Sequence, residues 1–402
     1  MKRIVIVDHF SQTPDEPGNN RFVHLAQLLC TRGYTVEIIT TDFSHKAKKT
    51  RKTDPVVLRQ LPYQFTMLPE PGYPKNVCLK RFSSHRSFGK QVKLYMKMME
   101  KPDLVYAATP SLDAAAAAAA YCKKQKVPFI VDVQDLWPEA FKLVFNIPVV
   151  SDMIFFPMQT IAGKIYRQAD EIVAVSDSYV NRALRFSPSK VNALSVFLGT
   201  DLAAFDQNAA ENKVQKPDSE IWIAYTGTLG HSYNIEIILD ALDLLPQMST
   251  EGLVFMVLGD GPLMERFRTR AAQCKVDTVF LGRLDYGKMA GYLQNADIAV
   301  NPIAKGAAQS IINKHADYAA AGLPVVSTQE CPEYQELLNT YRCGINCPPE
   351  DAQSVADALH QLLQDPQLRK QMGERSRKMA EERFDRANTY QKIIDRIEQL
   401  VR

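Results

Sequence analysis

The chain reads as an α/β protein of two domains, each built on a parallel sheet. Its 402 residues are long for one core and suit two domains of roughly 200 residues each. Short apolar runs alternate with stretches of helical spacing along most of the length. That alternation breaks once, around Val196–Asp201, and then begins again.

In the first half, residues 2–8 form a short buried strand, and residues 18–31 have helical spacing through Phe22, Leu25, Ala26, Leu28 and Leu29. A second strand follows Gly33 at residues 35–40. Such a βαβ unit requires a right-handed crossover and a parallel sheet. The pattern recurs with strands at 104–107, 129–133 and 172–175, an alanine-rich helix over 113–124, and a further helix before Ala169. A polar stretch, Gln207 to Glu220, reads as the linker. Beyond it, strands are expected at 221–225, 254–258, 278–281, 298–300 and 325–327, with helices between them. The domains are therefore 1–200 and 201–382, with a helical tail, 383–402, packing back towards the first domain. Tandem α/β domains of this kind are expected to face each other across a central cleft at the carboxyl ends of their strands.

The composition narrows the function. With 46% hydrophobic residues the chain is globular, and a net charge of +3 excludes a general polyanion binder. The average hides a gradient: residues 45–101 hold fourteen Lys/Arg against three Asp/Glu. Within them, residues 77–101 interleave Leu79, Phe82, Phe88, Val92, Tyr95, Met96 and Met99 with lysines and arginines. This is either a helix for an anionic bilayer or a solvated face over a core stripe. A second apolar stretch, 143–156, is an exposed surface or a core helix. No recognisable base-reading module accompanies the basic segment, so nucleic acid is not an expected partner. Seven scattered cysteines fit reduced thiols better than disulfides. No apolar run reaches a membrane span and no signal segment opens the chain, so the expected location is cytoplasmic.

The most informative stretch is Asn313–Ser327. It reads as a loop, a helix opening near Asn313, a Gly322-to-Pro324 break and a buried strand. Lys314 falls in the first helical turn, where unpaired amides and the helix dipole favour an anion. Asp317 lies one turn on and on the same face, at the spacing of a ribose diol from its diphosphate. The alternative is a surface lysine and a solvated aspartate. Two glycine turns follow strands in the same domain, Gly227-Thr228-Leu229-Gly230 and Gly259-Asp260-Gly261-Pro262, and each lets amides approach a phosphate. Neither is a dinucleotide fingerprint, since Met264 stands where the third glycine belongs. Leu281-Gly282-Arg283 offers a backbone edge for a base.

Taken in order, these motifs with Ala296–Pro302 resemble the donor domain of family 4 glycosyltransferases of the GT-B fold, which has two Rossmann-like domains. In the first domain the Gly18 loop, Leu25-Ala26, Leu28-Leu29 and Arg32–Val36 resemble the family's opening. Asp132–Glu139 is similar to members that build bacterial surface polysaccharides such as capsule, O-antigen and exopolysaccharide. The resemblance implies donor contacts at Gly227, Thr228, Leu229, Gly230, Gly259, Asp260, Gly261, Gly282, Arg283, Lys314 and Asp317, and acceptor-side candidates Gly18, Asn19, Arg21 and Trp137. It departs from the family at Thr228 and Asn234, where Arg and Lys are usual, and at Gln309 and Asp317, where a glutamate pair is usual. Lys305 is a candidate replacement cation.

The implied reaction moves a sugar from a nucleotide diphosphate, UDP favoured, to the hydroxyl of a lipid-linked saccharide at the inner membrane surface, with retention at the anomeric carbon. The sugar would be a hexose or N-acetylhexosamine. Lys314 would stabilise the leaving diphosphate. No Asp-x-Asp closes a strand, so no metal and no cofactor is expected. Asp135, just after a strand, is either the base that orients the acceptor or a helix N-cap. Trp137 stacks on a sugar or fills the core. Rival readings are a nucleotide-sugar epimerase and a non-catalytic nucleotide-binding protein.

Overall fold

The computed structural model describes residues 1–14, 16, 20–76, 78–139, 150–187, 191–247, 250–307 and 310–402. Gly18, Asn19, Gln309 and the first half of the apolar stretch 143–156, residues 143–149, lie outside the described residues. The chain divides into two compact units, Met1–Phe197 with Tyr390–Arg402, and Leu198–Thr389.

The first unit carries β1 (Arg3–Val7), β2 (Thr35–Thr41), β3 (Phe43–Ser44), β4 (Lys49–Thr50), β5 (Gln64–Leu68), β6 (Leu104–Thr109), β7 (Phe129–Val133), β8 (Glu171–Ala174) and β9 (Asn192–Ser195). Seven of them form one parallel sheet in the order β5-β2-β1-β6-β7-β8-β9, while β3 and β4 make a separate antiparallel ribbon. Helices cover both faces of the sheet, so its strands are continuous apolar runs. Asn20 caps the helix Arg21–Thr31 by accepting from Phe22 and Val23 amides. On one face Phe22, Leu25 and Leu29 pack with Ile393, Ile394 and Ile397 of the helix Gln391–Val401. On the other lie Leu79–Met98, Leu112–Gln125 and Val150–Gln168.

The alanine run is explained here. Ala114, Ala115, Ala118 and Ala119 are buried, and a Cβ at Gly89 would lie 2.7 Å from Asp113 Cβ, so these two helices pack at close range. In Leu79–Met98 the apolar stripe Phe88, Val92 and Met96 is buried and Lys80, Arg86, Lys90, Lys93 and Lys97 are exposed. Leu79, Leu94 and Met98 are exposed among those cations.

The second unit carries β10 (Ile221–Thr226), β11 (Leu253–Leu258), β12 (Asp277–Gly282), β13 (Ile298–Asn301), β14 (Val325–Ser327) and β15 (Gly344–Asn346), all parallel, in the order β12-β11-β10-β13-β14-β15. The expected linker, 207–220, is helical only at its start: the helix Leu202–Glu211 is capped by Asp201 and buries Leu202, Phe205 and Ala209, while residues 212–220 are turns and irregular chain. The two crossings also sit elsewhere than residues 200 and 382. Thr200 pairs with Asp385, its amide donates to Phe384 O at 2.8 Å, and Arg386 N donates to Thr200 O at 2.9 Å, so both segments belong to the second unit.

Candidate functional site

Strand order in the second unit reverses between β10 and β13, and loops leaving strands at such a point surround the usual ligand position of an open α/β sheet. The loop Gly227–Gly230 leaves β10, and the helix Asn313–Ala320 follows β13. Lys314 sits in the first turn of that helix and is 7% exposed. Among the described residues its Nζ has no hydrogen-bond partner, and it lies 4.1 Å from the ring centroid of Tyr225 and 4.0 Å from that of Tyr233. Burial holds this amine well below the usual lysine range. A buried ammonium without an acceptor is costly, whereas an anion arriving at this helix terminus would satisfy it.

The surroundings fix the helix. Tyr318 OH accepts from Thr226 N at 2.9 Å and donates to Val300 O at 3.1 Å, which ties the helix to the ends of β10 and β13. His315 is fully buried, stacks on Tyr334 at 3.6 Å, and accepts at Nδ1 from Ile312 N. Burial and then Lys314 keep the imidazole neutral. Asp317 is also 7% exposed; Tyr286 OH donates to its Oδ1 at 2.9 Å, and burial raises its carboxyl to about 6. The alternative of a solvated lysine and aspartate does not hold.

The glycine turns have a second reason for their glycines. Gly227 N donates to Leu258 O, Leu229 N to Asp260 O and Leu263 N to Leu229 O, so the two loops are laced together main chain to main chain. A Cβ at Gly259 would lie 1.8 Å from Gly227 O, and one at Gly261 2.4 Å from Leu229 O. Gly227 has φ +140, and its missing side chain leaves room for Lys314, whose Nζ would be 3.0 Å from a Cβ there. Thr228 and Asp260 are exposed at the loop tips, and Asp260 Oδ1 accepts from Gly261 N. Gly282 turns with φ +68 and leaves Arg283 exposed.

Asn234, where the resemblance implies a cation, caps the helix Ile235–Leu244 by accepting from Ile237 N. Lys305 is exposed and paired with Glu350 at 3.3 Å. The sequence reading missed Tyr225, Tyr233 and Tyr286. The first reads as a core strand residue and the others as helix-flanking aromatics, so only the position of Lys314 and Asp317 gives them meaning.

In the first unit Asp135 follows β7, and its Oδ1 accepts from Leu136 N at 2.9 Å. Burial is the main reason its carboxyl is raised. Trp137 is buried, stacks on His85 at 5.5 Å and lies 5.0 Å from the Arg81 guanidinium, so it is packed within the unit. Arg21, expected on the acceptor side, is turned inwards. It is 3% exposed, with Nε donating to Asp132 at 2.7 Å and Nη1 to Val196 and Phe197 carbonyls. It serves as a structural cation because Asp132, on a central strand, needs a buried partner.

His9, Glu70 and His85 bring donor atoms within 4.8 Å of one another, all buried. They suit a metal poorly. Glu70 already accepts from His9 at 2.6 Å and from Ser84 at 2.5 Å, and Arg81 Nε lies 3.5 Å from His85 Nε2. The guanidinium would oppose a second cation.

Two parallel-sheet units, one with a buried lysine at a helix start beside glycine loops, together with the fold of the solved structures below, place the protein in the GT-B class. Residues 206–379 match the glycosyl transferases group 1 family, and residues 18–196 match the glycosyl transferase 4-like domain. The chain belongs to the family 4 glycosyltransferases. An uncharacterized glycosyltransferase of Methanocaldococcus jannaschii is 23% identical over 60% of this chain and 62% of its own length. The putative colanic acid biosynthesis glycosyl transferase WcaI of Escherichia coli is 23% identical over 57% of each chain. The matched part thus spans about three-fifths of these curated relatives, 62% and 57%. Among solved structures, sucrose-phosphate synthase of Thermosynechococcus elongatus has the same fold, with a TM-score of 0.75 at 17% identity over 100% of this chain and 99% of that one. HepE of Anabaena, solved with UDP, gives 0.70 at 14% over 99% and 100%.

Proposed function

We propose that the protein transfers a hexosyl or N-acetylhexosaminyl group from a nucleotide-diphosphate sugar, UDP-linked by preference, to a hydroxyl of a lipid-linked saccharide in surface-polysaccharide synthesis. The observation that carries this reading is the buried Nζ of Lys314 at a helix start, without a hydrogen-bond partner among the described residues. HepE is solved with UDP and with UDP-glucose, and WcaI is named for colanic acid, which supports the donor and pathway class by analogy.

Departure of the diphosphate concentrates charge on its oxygens. Lys314 and the first-turn amides would stabilise that charge, and Asp317 would accept from the ribose hydroxyls. Asp135 is the candidate to orient or deprotonate the acceptor hydroxyl. We propose retention at the anomeric carbon and independence from metal, because the diphosphate charge would be met by protein groups. Turnover that collapses in chelator and returns with Mg²⁺ counts against the latter.

Among the described residues no helix is long and apolar enough to cross a membrane. An anionic inner-membrane surface would instead meet the basic region 45–101. Its exposed lysines flank Leu79, Leu94 and Met98, and Met153, Ile154 and Phe156 of Val150–Gln168 are also exposed.

The test is thermal unfolding with UDP, GDP, ADP and NAD, for wild type and Lys314→Ala. A nucleotide at a hundred-fold excess over Kd contributes about 2.7 kcal/mol. Stabilisation by one nucleoside diphosphate that disappears in the variant is the expected result. Equal shifts in both proteins, or none in the wild type, overturn the donor-site assignment.

A further inference from the structure

A basic pocket in the first unit lacks a counter-charge among the described residues. It has a volume of about 580 Å³ beside the β3–β4 ribbon, and its lining among the described residues includes Lys48, Lys49, Lys80, Tyr73 and Ser84 but no carboxylate. Two half-buried cations at its edge converge on one neutral residue. The Lys48 ammonium donates to the Asn76 side-chain carbonyl, and Arg81 Nη1 donates to the Asn76 backbone carbonyl at 2.9 Å. Both cations also lie over the ring of Tyr73, at 4.7 and 5.7 Å.

The carboxylates nearby are already committed, Glu70 to His9 and Ser84, and Glu16 to Arg51. Lys48 and Arg81, both partly exposed, are thus left without an ion pair among the described residues and open to an incoming anion. The helix Leu79–Met98 begins here without a side-chain cap at Cys78, so its first-turn amides favour the same kind of ligand. The local field is already positive. His45 is pushed down to about 4 by burial and then by Lys48 and Arg81, and His85 is lowered by burial, His9 and Arg81.

We propose that this pocket binds a phosphate or diphosphate group through Lys48, Arg81 and Lys80, and that it selects acceptors carrying such a group. The proposal rests on the lipid-linked acceptor put forward above. An acceptor diphosphate and a phospholipid headgroup share this chemistry. Asn76 occupies the place of the missing charge, as a neutral acceptor that a phosphate oxygen would displace.

Calorimetric titration of the full chain with inorganic pyrophosphate, free of metal, tests it. Wild type is expected to show two sites, one lost in Lys314→Ala and the other in the Lys48→Gln/Arg81→Gln double variant. Asn76→Asp places a carboxylate between the two cations. It should raise the unfolding temperature, weaken the first-unit site at least tenfold and leave the shift caused by UDP unchanged, which guards against mere misfolding of the double variant. If Lys314→Ala abolishes all pyrophosphate binding, or Asn76→Asp and the double variant both bind as wild type does, the pocket proposal falls and the donor reading stands. If Lys314→Ala alters neither site, the donor reading falls and the pocket stands. Vesicles containing phosphatidylglycerol separate the two sources. Release of the protein by pyrophosphate makes the headgroup the ligand, and vesicle binding indifferent to pyrophosphate makes it the acceptor diphosphate.

Discussion

Lys314 Nζ sits 4.0 Å from the ring centroid of Tyr233, and no hydrogen-bond acceptor among the described residues reaches it. Two tyrosine faces compensate an ammonium only in part. Leaving a buried polar group unsatisfied costs about 1–3 kcal/mol, so Lys314→Met should stabilise the empty protein by an amount of this order while removing the response to nucleoside diphosphates. The pH dependence identifies the cause. With the folded amine well below its usual range, the unfolded state binds the extra proton, so stability rises with pH up to about 10.4, the free lysine value. Unfolding free energies measured across pH 7–10 should lose that slope in Lys314→Met; an unchanged slope assigns it to another group.

Asp317 titrates with the opposite sense. Its folded carboxyl is raised to about 6 from 3.8, so the folded state holds the proton more tightly. Stability from this group is full below about pH 4 and falls as pH rises through 6, by on the order of 2–3 kcal/mol for a shift of about two units. Asp317→Asn keeps an acceptor for Tyr286 and should flatten that fall. The same change should weaken UDP roughly 10- to 100-fold, the value of a hydrogen bond to a charged group. Denaturant melts at pH 4 and 7, paired with UDP titration, check both halves.

The sequence made much of this legible because strands buried on both faces write themselves as apolar runs, and the Lys314 to Asp317 spacing is fixed by helix geometry. Less legible were β5, β9 and β15, where Gln64, Asn192 and Gly344 stand at strand ends without an apolar run. The Leu202–Glu211 helix was missed because its outer face is polar. The tyrosines around Lys314 and the His9–Glu70–His85 group come together from elements far apart in the chain, so no local pattern could announce them. Arg21 misled for a related reason, since its partner Asp132 lies 111 positions away.

Arg21 and Asp132 form a buried pair, and removing one partner strands the other. Arg21→Ala should therefore destabilise the protein by about 3–5 kcal/mol, whereas Arg21→Met, which refills the space but leaves Asp132 unpaired, should be improved by pairing with Asp132→Leu. An acceptor contact predicts something else, a raised KM for the acceptor with stability intact. Denaturant unfolding together with acceptor kinetics separates the two.

Gly259 and Gly282 are glycines for different reasons. A Cβ at 259 meets a main-chain carbonyl, so Gly259→Ala must part the two loops and should abolish the UDP response as well as lower the unfolding temperature. At 282 the space is open and only the backbone angle objects, so Gly282→Ala should cost about 1–2 kcal/mol and keep nucleotide binding. Thermal melts with and without UDP distinguish a lost site from a strained turn.

Asp135 is the remaining choice between chemistry and architecture. Its Oδ1 accepts from the Leu136 amide, an arrangement asparagine reproduces, so Asp135→Asn should fold with near-normal stability. A carboxylate acting as base must be ionised, and burial has raised its pKa. The acid limb of kcat/KM should then lie above the ordinary carboxylate range and vanish in the variant, with turnover reduced by the 10²- to 10⁴-fold typical of a lost general base. Near-normal turnover in Asp135→Asn with the limb unmoved would leave Asp135 as a loop-fixing residue and send the search for the acceptor's base to the buried His9 and Glu70.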